Sequence, residues 1–204
     1  MSIDNIYGAR HQQSLNQQEL IRDRKWNQRF MAMARLVASW SKDPSTRVGA
    51  VIVDDDKKVL GLGFNGFARG ADDSPEKYAD RDSKLGQVIH SEVNAILNAG
   101  VPLKGATIYV SSMCCPGCAA VIIQSGIKRV VTPHAEEDPF SHRGDSSTWK
   151  DVVDKAPKDF LDAGVELHVM QPTGFSVLEL MGPDHPFMAE LAKAKSDAIN
   201  RRNK

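Results

Sequence analysis

Two short patterns of metal-binding residues constrain this 204-residue chain more than any other feature. His90-x-Glu92 and Cys115-x-x-Cys118 each stand at the start of a predicted helix, with a short predicted strand between them. Two thiolates and one imidazole leave the fourth tetrahedral position of a zinc ion open, as catalytic sites require. Such ligands favour zinc over magnesium or calcium. We therefore predict a catalytic zinc ion held by His90, Cys115 and Cys118.

Glu92 follows His90 by two residues, an offset that places a carboxylate beside the metal without making it a ligand. Zinc lowers the pKa of water from about 16 to about 7. We therefore predict a hydrolytic reaction in which Glu92 moves the protons. Alternatively, the two cysteines could be a redox pair, or could lie together by chance in a buried helix. The H-x-E pattern alone is common in proteins and indicates little. The combination of the two patterns favours zinc.

All three cysteines lie between Cys114 and Cys118, too few and too clustered for a disulfide framework. Cys114 has two interpretations. It could be a fourth ligand in a closed structural site, or a packing residue beside the metal. Neighbouring cysteines rarely both reach one ion, so we expect Cys114 to pack in the core.

Charge and hydropathy argue against two classes of partner. The 26 basic and 26 acidic residues give a formal net charge of zero, without the basic excess typical of proteins that bind long nucleic acids. No apolar run approaches the roughly 20 residues of a membrane span, and the polar N-terminus lacks the apolar region of a signal peptide. We expect no nucleic-acid partner, no membrane partner and a cytoplasmic location.

Periodicity predicts an α/β protein in which strands and helices alternate after an opening hairpin, so that helices cover both faces of a sheet. Three parts are expected: an N-terminal arm at 1–24, a catalytic domain at 25–171 and a helical tail at 172–204. A long polar loop or insertion is expected at 66–87. Helices are predicted at 25–41, 90–98, 115–124 and 145–163, with a break or restart at Pro157, and strands at 47–53, 59–64, 107–110, 129–132 and 165–170.

Several segments resemble the deoxycytidylate deaminase family, within the wider cytidine deaminase-like fold. They include ASWSKDPSTRVGAVIV, GLGFNGFARGADD, HSEVNAIL and CCPGCAAVIIQSGIKRVV, in this order along the chain. H-x-E followed by P-C-x-x-C is the signature of zinc-dependent nucleobase deaminases. The chain departs from it at Cys114, where the signature has proline.

The resemblance implies a three-layer α/β/α fold with a five-stranded mixed sheet, and hydrolysis of dCMP, a small nucleotide, to dUMP and ammonia. It implies that His90, Cys115 and Cys118 bind zinc, that Glu92 is the proton shuttle and that Asn65 contacts substrate. One zinc ion per subunit is expected because 71–89 lacks the cysteines of a second site.

The residues themselves offer further candidates for substrate contact. Ser45, Thr46 and Arg47 stand at a predicted strand start and could bind the phosphate, although two turn residues and a surface cation explain them equally well. Trp149 could stack on the base, since such stacking contributes about 1–3 kcal/mol, or pack at a helix start.

Some members of the resembled family are hexamers that dCTP activates and dTTP inhibits. The resemblance therefore implies a homo-oligomer, with a hexamer favoured. It also makes dCTP and dTTP candidate effectors of this chain. Magnesium with a nucleotide effector is a further candidate, at the Asp72–Asp73 pair. The segment matching the family's effector segment contributes Gly63, Phe64, Gly66, Arg69 and Gly70.

Three other functions remain open from the sequence. The chain could deaminate another cytosine nucleoside or nucleotide, such as cytidine, dCTP or a modified cytosine. It could deaminate adenosine in tRNA, although the long segment before His90 and the neutral charge disfavour that substrate. It could also be a catalytically silent, zinc-stabilised nucleotide sensor, although the presence of Glu92 argues against this.

Overall fold

The structure, a computed structural model, describes residues 23–134 and 155–170. Five strands form one mixed sheet in the order β2-β1-β3-β4-β5. Strand β1 is antiparallel to both of its neighbours, whereas β3, β4 and β5 run parallel. The strands are β1 (Gly49–Val53), β2 (Val59–Phe64), β3 (Thr107–Val110), β4 (Arg129–Thr132) and β5 (Glu166–Val169).

Six helices accompany the sheet in the described part of the chain. The first, α1, covers residues 23–38 and already includes the last two residues of the predicted arm. The others are α2 (Pro75–Ala79), α3 (Arg81–Gln87), α4 (Ser91–Ala99), α5 (Pro116–Gln124) and α6 (Ala156–Asp162). No helix in these residues is both long enough and apolar enough to span a membrane.

Helix α1 covers one face of the sheet. Its inward residues pack on alternate residues of β1, as the two-residue period of a strand requires, and the helix lies so close that a Cβ on Gly49 would be 2.1 Å from the Ala34 carbonyl oxygen. Tyr109 joins this layer and donates a hydrogen bond to Asn27 (2.9 Å). The buried cluster consists of Phe30, Met31, Ala34, Val37, Val51, Val53, Tyr109, Val131 and Met170.

Helices α4, α5 and α6 contribute the residues that cover the opposite face. The alternate residues Ala50 and Ile52 of β1 point into this second core, together with Ile122 of α5 and Phe160 of α6. Both faces of the sheet are therefore covered, and the predicted three-layer α/β/α fold with a five-stranded mixed sheet is confirmed.

Glycines in β2 allow α4 to lie close to the sheet. A Cβ on Gly63 would be 2.2 Å from the Ala95 backbone nitrogen, and one on Gly61 would be 2.4 Å from the Ala95 carbonyl oxygen. Gly100 then ends α4 in the left-handed region at φ 64°, the usual conformation of a glycine that terminates a helix.

Side chains of α4 also cover the outer edge of β2. Asn98 donates to the carbonyl of Leu62 (3.0 Å), and Asn94 donates to that of Phe64 (2.8 Å). Because β2 is the last strand on its side of the sheet, these two bonds use main-chain acceptors that point away from β1.

The segment predicted as a long polar loop or insertion at 66–87 contains two short helices, α2 and α3. The prediction of an irregular loop over this whole segment is therefore wrong. Ser74 accepts a hydrogen bond from the Lys77 amide, and Pro75 occupies the first turn of α2. This is a standard helix start within a strongly charged stretch. We call residues 66–89 the insertion. Gly66 and Ile89 join its ends through two backbone hydrogen bonds of 3.1 and 2.9 Å.

Other element boundaries differ from the predictions by a few residues. The strand predicted at 47–53 begins only at Gly49. Pro157 stands in the first turn of α6, so the predicted restart there is a helix start, which tolerates proline. Residues 1–22, the start of the helix predicted at 145–163, Trp149 and the tail at 172–204 lie outside the described residues.

Candidate metal centre and active site

The site lies where several strand ends meet. Strand β1 begins, and β2 and β3 end, at the same edge of the sheet, as the pairing of Gly49 with Phe64 and of Ala50 with Val110 shows. Ser111 connects two of these ends, since it donates to the Gly49 carbonyl through its amide (2.9 Å) and accepts from the Gly49 amide through its hydroxyl (3.0 Å). Ligand sites in open α/β sheets commonly occupy such an edge.

Helices α4 and α5 both begin at this edge. His90 is the residue before α4, and Cys115 is the residue before α5, and both have extended backbones with ψ of 155° and 164°. Neither side chain caps its own helix. The helix N-termini carry partial positive charge, which stabilises nearby thiolates and carboxylates.

The predicted metal ligands converge. The Nδ1 atom of His90 lies 3.5 Å from the Sγ of Cys115 and 3.3 Å from the Sγ of Cys118, and the three atoms lie within 4.8 Å of one another. A nitrogen and a sulfur on one tetrahedral zinc, with bonds of about 2.0 and 2.3 Å, are separated by roughly 3.6 Å. The observed separations therefore fit zinc.

The electrostatics of the two thiols favour metal binding. A hydrogen bond from Cys118, together with that from His90, lowers the pKa of Cys115 to about 4, against the opposing effect of burial. The same bond to Cys115, with burial, raises the pKa of Cys118. The hydrogen bond to Cys115 raises the pKa of His90. The lowered pKa of Cys115 favours its thiolate form, and a metal cation would replace the proton on Cys118.

Glu92 lies in the first turn of α4 and is only 3% exposed. Burial raises the pKa of its carboxyl group, although the charge of His90 opposes this effect. Its Oε2 accepts a hydrogen bond from the Ser91 hydroxyl (2.9 Å). A buried carboxyl group whose pKa is shifted towards neutrality has the properties of a group that both accepts and donates a proton.

Cys114 packs in the apolar core beneath α5 and is 2% exposed. Burial raises the pKa of its thiol well above the ordinary value. Within the described residues, the group that could hold a metal consists of His90, Cys115 and Cys118. The described residues therefore do not form a closed site with four protein ligands.

Asn65 is buried and ties two segments together. Its side-chain oxygen accepts from the Val48 amide (2.8 Å), and its Nδ2 donates to the Thr46 carbonyl (2.8 Å). The Ser41 hydroxyl donates to the main-chain carbonyl of Asn65 (2.7 Å). An asparagine amide has two donor hydrogens and an oxygen with two lone pairs, so these contacts use half of its side-chain capacity.

Ser45, Thr46 and Arg47 lie in the turn before β1, where Asp43 organises them. The Oδ1 of Asp43 accepts from the amides of Ser45 (2.8 Å) and Thr46 (3.0 Å), and from the Ser45 hydroxyl (2.9 Å). The Nε of Arg47 donates to the Asp43 carbonyl (3.0 Å). Ser45 and Arg47 are exposed and Thr46 is half-buried, so the turn faces solvent beside Asn65.

The candidate effector residues have separate structural contacts. Gly63 packs under α4, the ring of Phe64 meets that of Trp40 edge-on at 6.2 Å, and Gly66 pairs with Ile89. Arg69 donates to the Asn98 side chain (2.7 Å). Gly70 lies in a turn at φ 80°.

Sequence reasoning treated Asp43 only as a helix stop and did not single out Lys84. The signal for Asp43 was the run Asp43-Pro44-Ser45-Thr46, since an aspartate often accepts hydrogen bonds from amides two or three residues later. Lys84 had no comparable signal, because its contact with Asp43 spans 41 positions.

Comparison with known proteins agrees with this geometry. The family described as "Cytidine and deoxycytidylate deaminase zinc-binding region" matches residues 24–134. A protein of Aliivibrio fischeri, named "Uncharacterized deaminase in luxG 3'region", is 43% identical over 143 residues, which are 70% of this chain and 92% of that protein.

Mouse deoxycytidylate deaminase is 42% identical over 113 residues. That match covers 52% of this chain and 64% of the mouse protein, so the chain matches less than two thirds of this relative's length. The crystal structure of a dCMP deaminase from the cyanophage S-TIM5 shares the fold, with a TM-score of 0.51 and 22% identity over 71% of this chain and 96% of that one. The chain belongs to the cytidine and deoxycytidylate deaminase zinc-binding family.

Proposed function

We propose that this chain hydrolyses dCMP to dUMP and ammonia, with a zinc ion held by His90, Cys115 and Cys118. The observation that carries the proposal is the convergence of one imidazole nitrogen and two sulfurs, 3.3 and 3.5 Å apart, next to the buried carboxyl group of Glu92. Similarity to deoxycytidylate deaminases supports the choice of substrate.

The zinc ion supplies Lewis acidity, which makes water a strong enough acid to provide a nucleophile near neutral pH. Glu92 supplies the proton transfers. Its carboxylate accepts a proton from the attacking water and delivers it to N3 of the cytosine ring. It then accepts the second proton from the same oxygen and passes it to the amino group on C4. The C4–N bond breaks, the water oxygen stays on C4 and ammonia leaves.

Burial of Glu92 supports this role, because it raises the pKa of the carboxyl group towards the operating pH, where one group can both accept and donate a proton. The hydrogen bond from Ser91 fixes the orientation of the carboxyl group.

The substrate-binding side consists of the turn at 45–47 and Asn65. The exposed guanidinium of Arg47 is a donor for the phosphate, with Thr46 next to it. The Ser45 hydroxyl, which donates to Asp43 in the structure, would turn from that carboxylate to donate to the phosphate. We assign the remaining hydrogen-bonding capacity of Asn65 to the sugar or the base edge of the substrate. Stacking of Trp149 on the base is retained as a prediction.

The remaining expectations are more specific than the described contacts and the relatives support. One zinc ion per subunit, a hexameric assembly, binding of dCTP and dTTP, and a cytoplasmic location stay predictions. Magnesium has no support in the structure, because Asp73 accepts from Lys42 (2.6 Å) and Asp72 accepts from the Ser74 amide (2.9 Å).

Purified protein with a measured zinc content tests the proposal. We expect ammonia release and loss of the aminopyrimidine absorbance with dCMP, and loss of both after a strong chelator removes zinc. A panel of dCMP, deoxycytidine, cytidine and dCTP identifies the substrate. Preference for another member of the panel would replace dCMP, and no turnover of any of them would favour the silent sensor.

A further inference from the structure

Two lysine–aspartate pairs connect the 41–45 segment to the insertion, and only one of them is buried. Lys42 contacts Asp73 (2.6 Å) with side chains that are 65% and 49% exposed. Lys84 contacts Asp43 (2.8 Å) with side chains that are 16% and 1% exposed. Exposed pairs contribute little because water and salt screen them, whereas burial preserves the attraction between Lys84 and Asp43.

Asp43 accepts hydrogen bonds from three residues: Ser45 and Thr46, which are close in sequence, and Lys84, which is 41 positions away. Its carboxylate holds the amides of Ser45 and Thr46, which form the turn assigned above to the phosphate. It also holds Lys84, which belongs to α3 within the insertion. The Lys84 ammonium makes a second, short hydrogen bond of 2.5 Å to the Ser45 hydroxyl. One carboxylate therefore connects the substrate-side turn to the insertion.

A second set of contacts returns from the insertion to the same turn. The carbonyl of Lys84 accepts from the Val88 amide (3.0 Å). Ile89 follows, and it forms the two backbone hydrogen bonds to Gly66. Asn65 precedes Gly66 and donates to the Thr46 carbonyl (2.8 Å). Together with the Asp43 contacts, these bonds form a closed ring.

The ring passes directly beside the candidate metal centre, because the residue after Ile89 is His90. Opening the ring at the Asp43–Lys84 contact would leave the Gly66–Ile89 pairing as the link that holds the insertion ends. The metal ligands themselves stand on the starts of α4 and α5, which pack on the sheet independently of Lys84. The ring therefore controls the substrate-side turn more strongly than it controls the metal.

We propose that Asp43 is a positioning residue, which together with Lys84 clamps the insertion against the turn at 43–47 and so holds Ser45, Thr46 and Arg47 in place for the phosphate of the substrate. The proposal rests on the function proposed above. Contacts that hold substrate equally in the ground state and the transition state change KM rather than kcat.

Four variants test the clamp. Asp43→Asn keeps an oxygen for the Ser45 and Thr46 amides but removes the charge that attracts Lys84, whereas Lys84→Met removes the cation. We expect each to raise KM for dCMP by about 10- to 100-fold, the scale of a displaced positioning group, with kcat within about twofold and zinc content unchanged. Lys84→Arg should restore most of the affinity, and the double variant Asp43→Asn/Lys84→Met should be no worse than either single one.

Lys42→Met is the matched control, because it removes the exposed pair between the same two segments. We expect its KM to equal that of the wild type. Hydrogen exchange supplies a readout that does not require turnover. The Gly66 and Ile89 amides should exchange faster in Asp43→Asn and Lys84→Met, but not in Lys42→Met.

The outcomes separate this proposal from the proposed function. If the wild type turns over dCMP but both clamp variants keep its KM and exchange rates, the clamp does not exist. Loss of zinc, a fall in kcat with unchanged KM, or an equal effect of Lys42→Met would also overturn it. If the wild type does not act on dCMP, the proposed function fails, and the exchange rates still decide whether the ring closes as described.

Discussion

Two sides of the candidate site use very different residues: the metal side, which is His90, Cys115 and Cys118, and the insertion side, which is Asp43 and Lys84. The metal side uses one of six histidines and two of three cysteines, placed at two helix starts. The insertion side uses an aspartate and a lysine, taken from 26 acidic and 26 basic residues. Both sides depend on contacts between distant parts of the chain. Scarce residue types with definite chemistry therefore reveal a site in a sequence, whereas common charged residues reveal theirs only after folding.

Removing a metal ligand should have the largest effect. Cys118→Ser should lose stoichiometric zinc and at least about 1,000-fold in kcat/KM, because Lewis acidity contributes several kcal/mol to such a reaction. Metal analysis of the purified protein and a dCMP assay measure both quantities. Cys114→Ser is the matched control and should keep zinc and most activity. Zinc loss in the control would mean that Cys114 is a ligand.

Replacing the proton-moving group should separate chemistry from metal binding. Glu92→Gln keeps the size of the side chain and should lower kcat by about 100- to 10,000-fold, the usual contribution of general acid–base catalysis. Zinc content should remain that of the wild type, because Glu92 is not one of the three convergent donors. Full activity in this variant would remove the proposed role of Glu92.

Displacing α4 should damage the metal side through packing alone. A methyl group in Gly63→Ala would meet the Ala95 nitrogen and the Ser91 carbonyl oxygen at 2.2 and 2.3 Å. We expect a loss of about 3 kcal/mol in the free energy of unfolding, at the upper end of overpacking effects, measured by urea denaturation. Gly86→Ala is the control, since a Cβ there meets nothing within 4 Å. Equal stabilities would show that α4 does not approach β2 as closely as described.

Acid should weaken the insertion side by a smaller amount. Burial alone would raise the pKa of Asp43, but the hydrogen bonds from Lys84, Ser45 and Thr46 outweigh it, so the pKa lies below its ordinary value. A carboxyl group with a lowered pKa in the folded state stabilises the protein above its unfolded pKa, and this contribution disappears as the pH falls through the folded pKa.

Asp43→Asn should therefore be less stable than the wild type near pH 6, by about 2 kcal/mol, the scale of a hydrogen bond to a charged group. The difference should shrink as the pH falls below about 4. Urea denaturation of both proteins from pH 6 to pH 3 measures it. A difference that stays constant over this range would show that the charge of Asp43 contributes nothing.

Much of the fold was accessible from sequence because its signals are local. Strands β2, β3 and β4 begin and end where their apolar runs predict, and α4 ends at the glycine that predicts its end. The helices of the insertion were missed because Ser74-Pro75 stands among charged residues without an apolar period. Short helices of this kind depend on tertiary contacts, such as the packing of Tyr78 on Phe67 at 4.8 Å.

The same difference between local signals and long-range contacts applies to the candidate site. The grouping of His90, Cys115 and Cys118 was predicted from spacing, and the structure brings the three together. The organisation of the turn at 43–47 was not predicted, because a lysine 41 positions away completes it. No periodicity or motif indicates which of many surface cations will be buried against Asp43.

Asparagine side chains on α4 have a consequence for how copies of this protein meet. Asn94 and Asn98 donate to two outward carbonyls of the terminal strand β2. An incoming strand would compete with both side chains for these carbonyls. Lateral sheet growth, a common route to aggregation at strand edges, is therefore obstructed on this side by the same helix that begins at the metal centre.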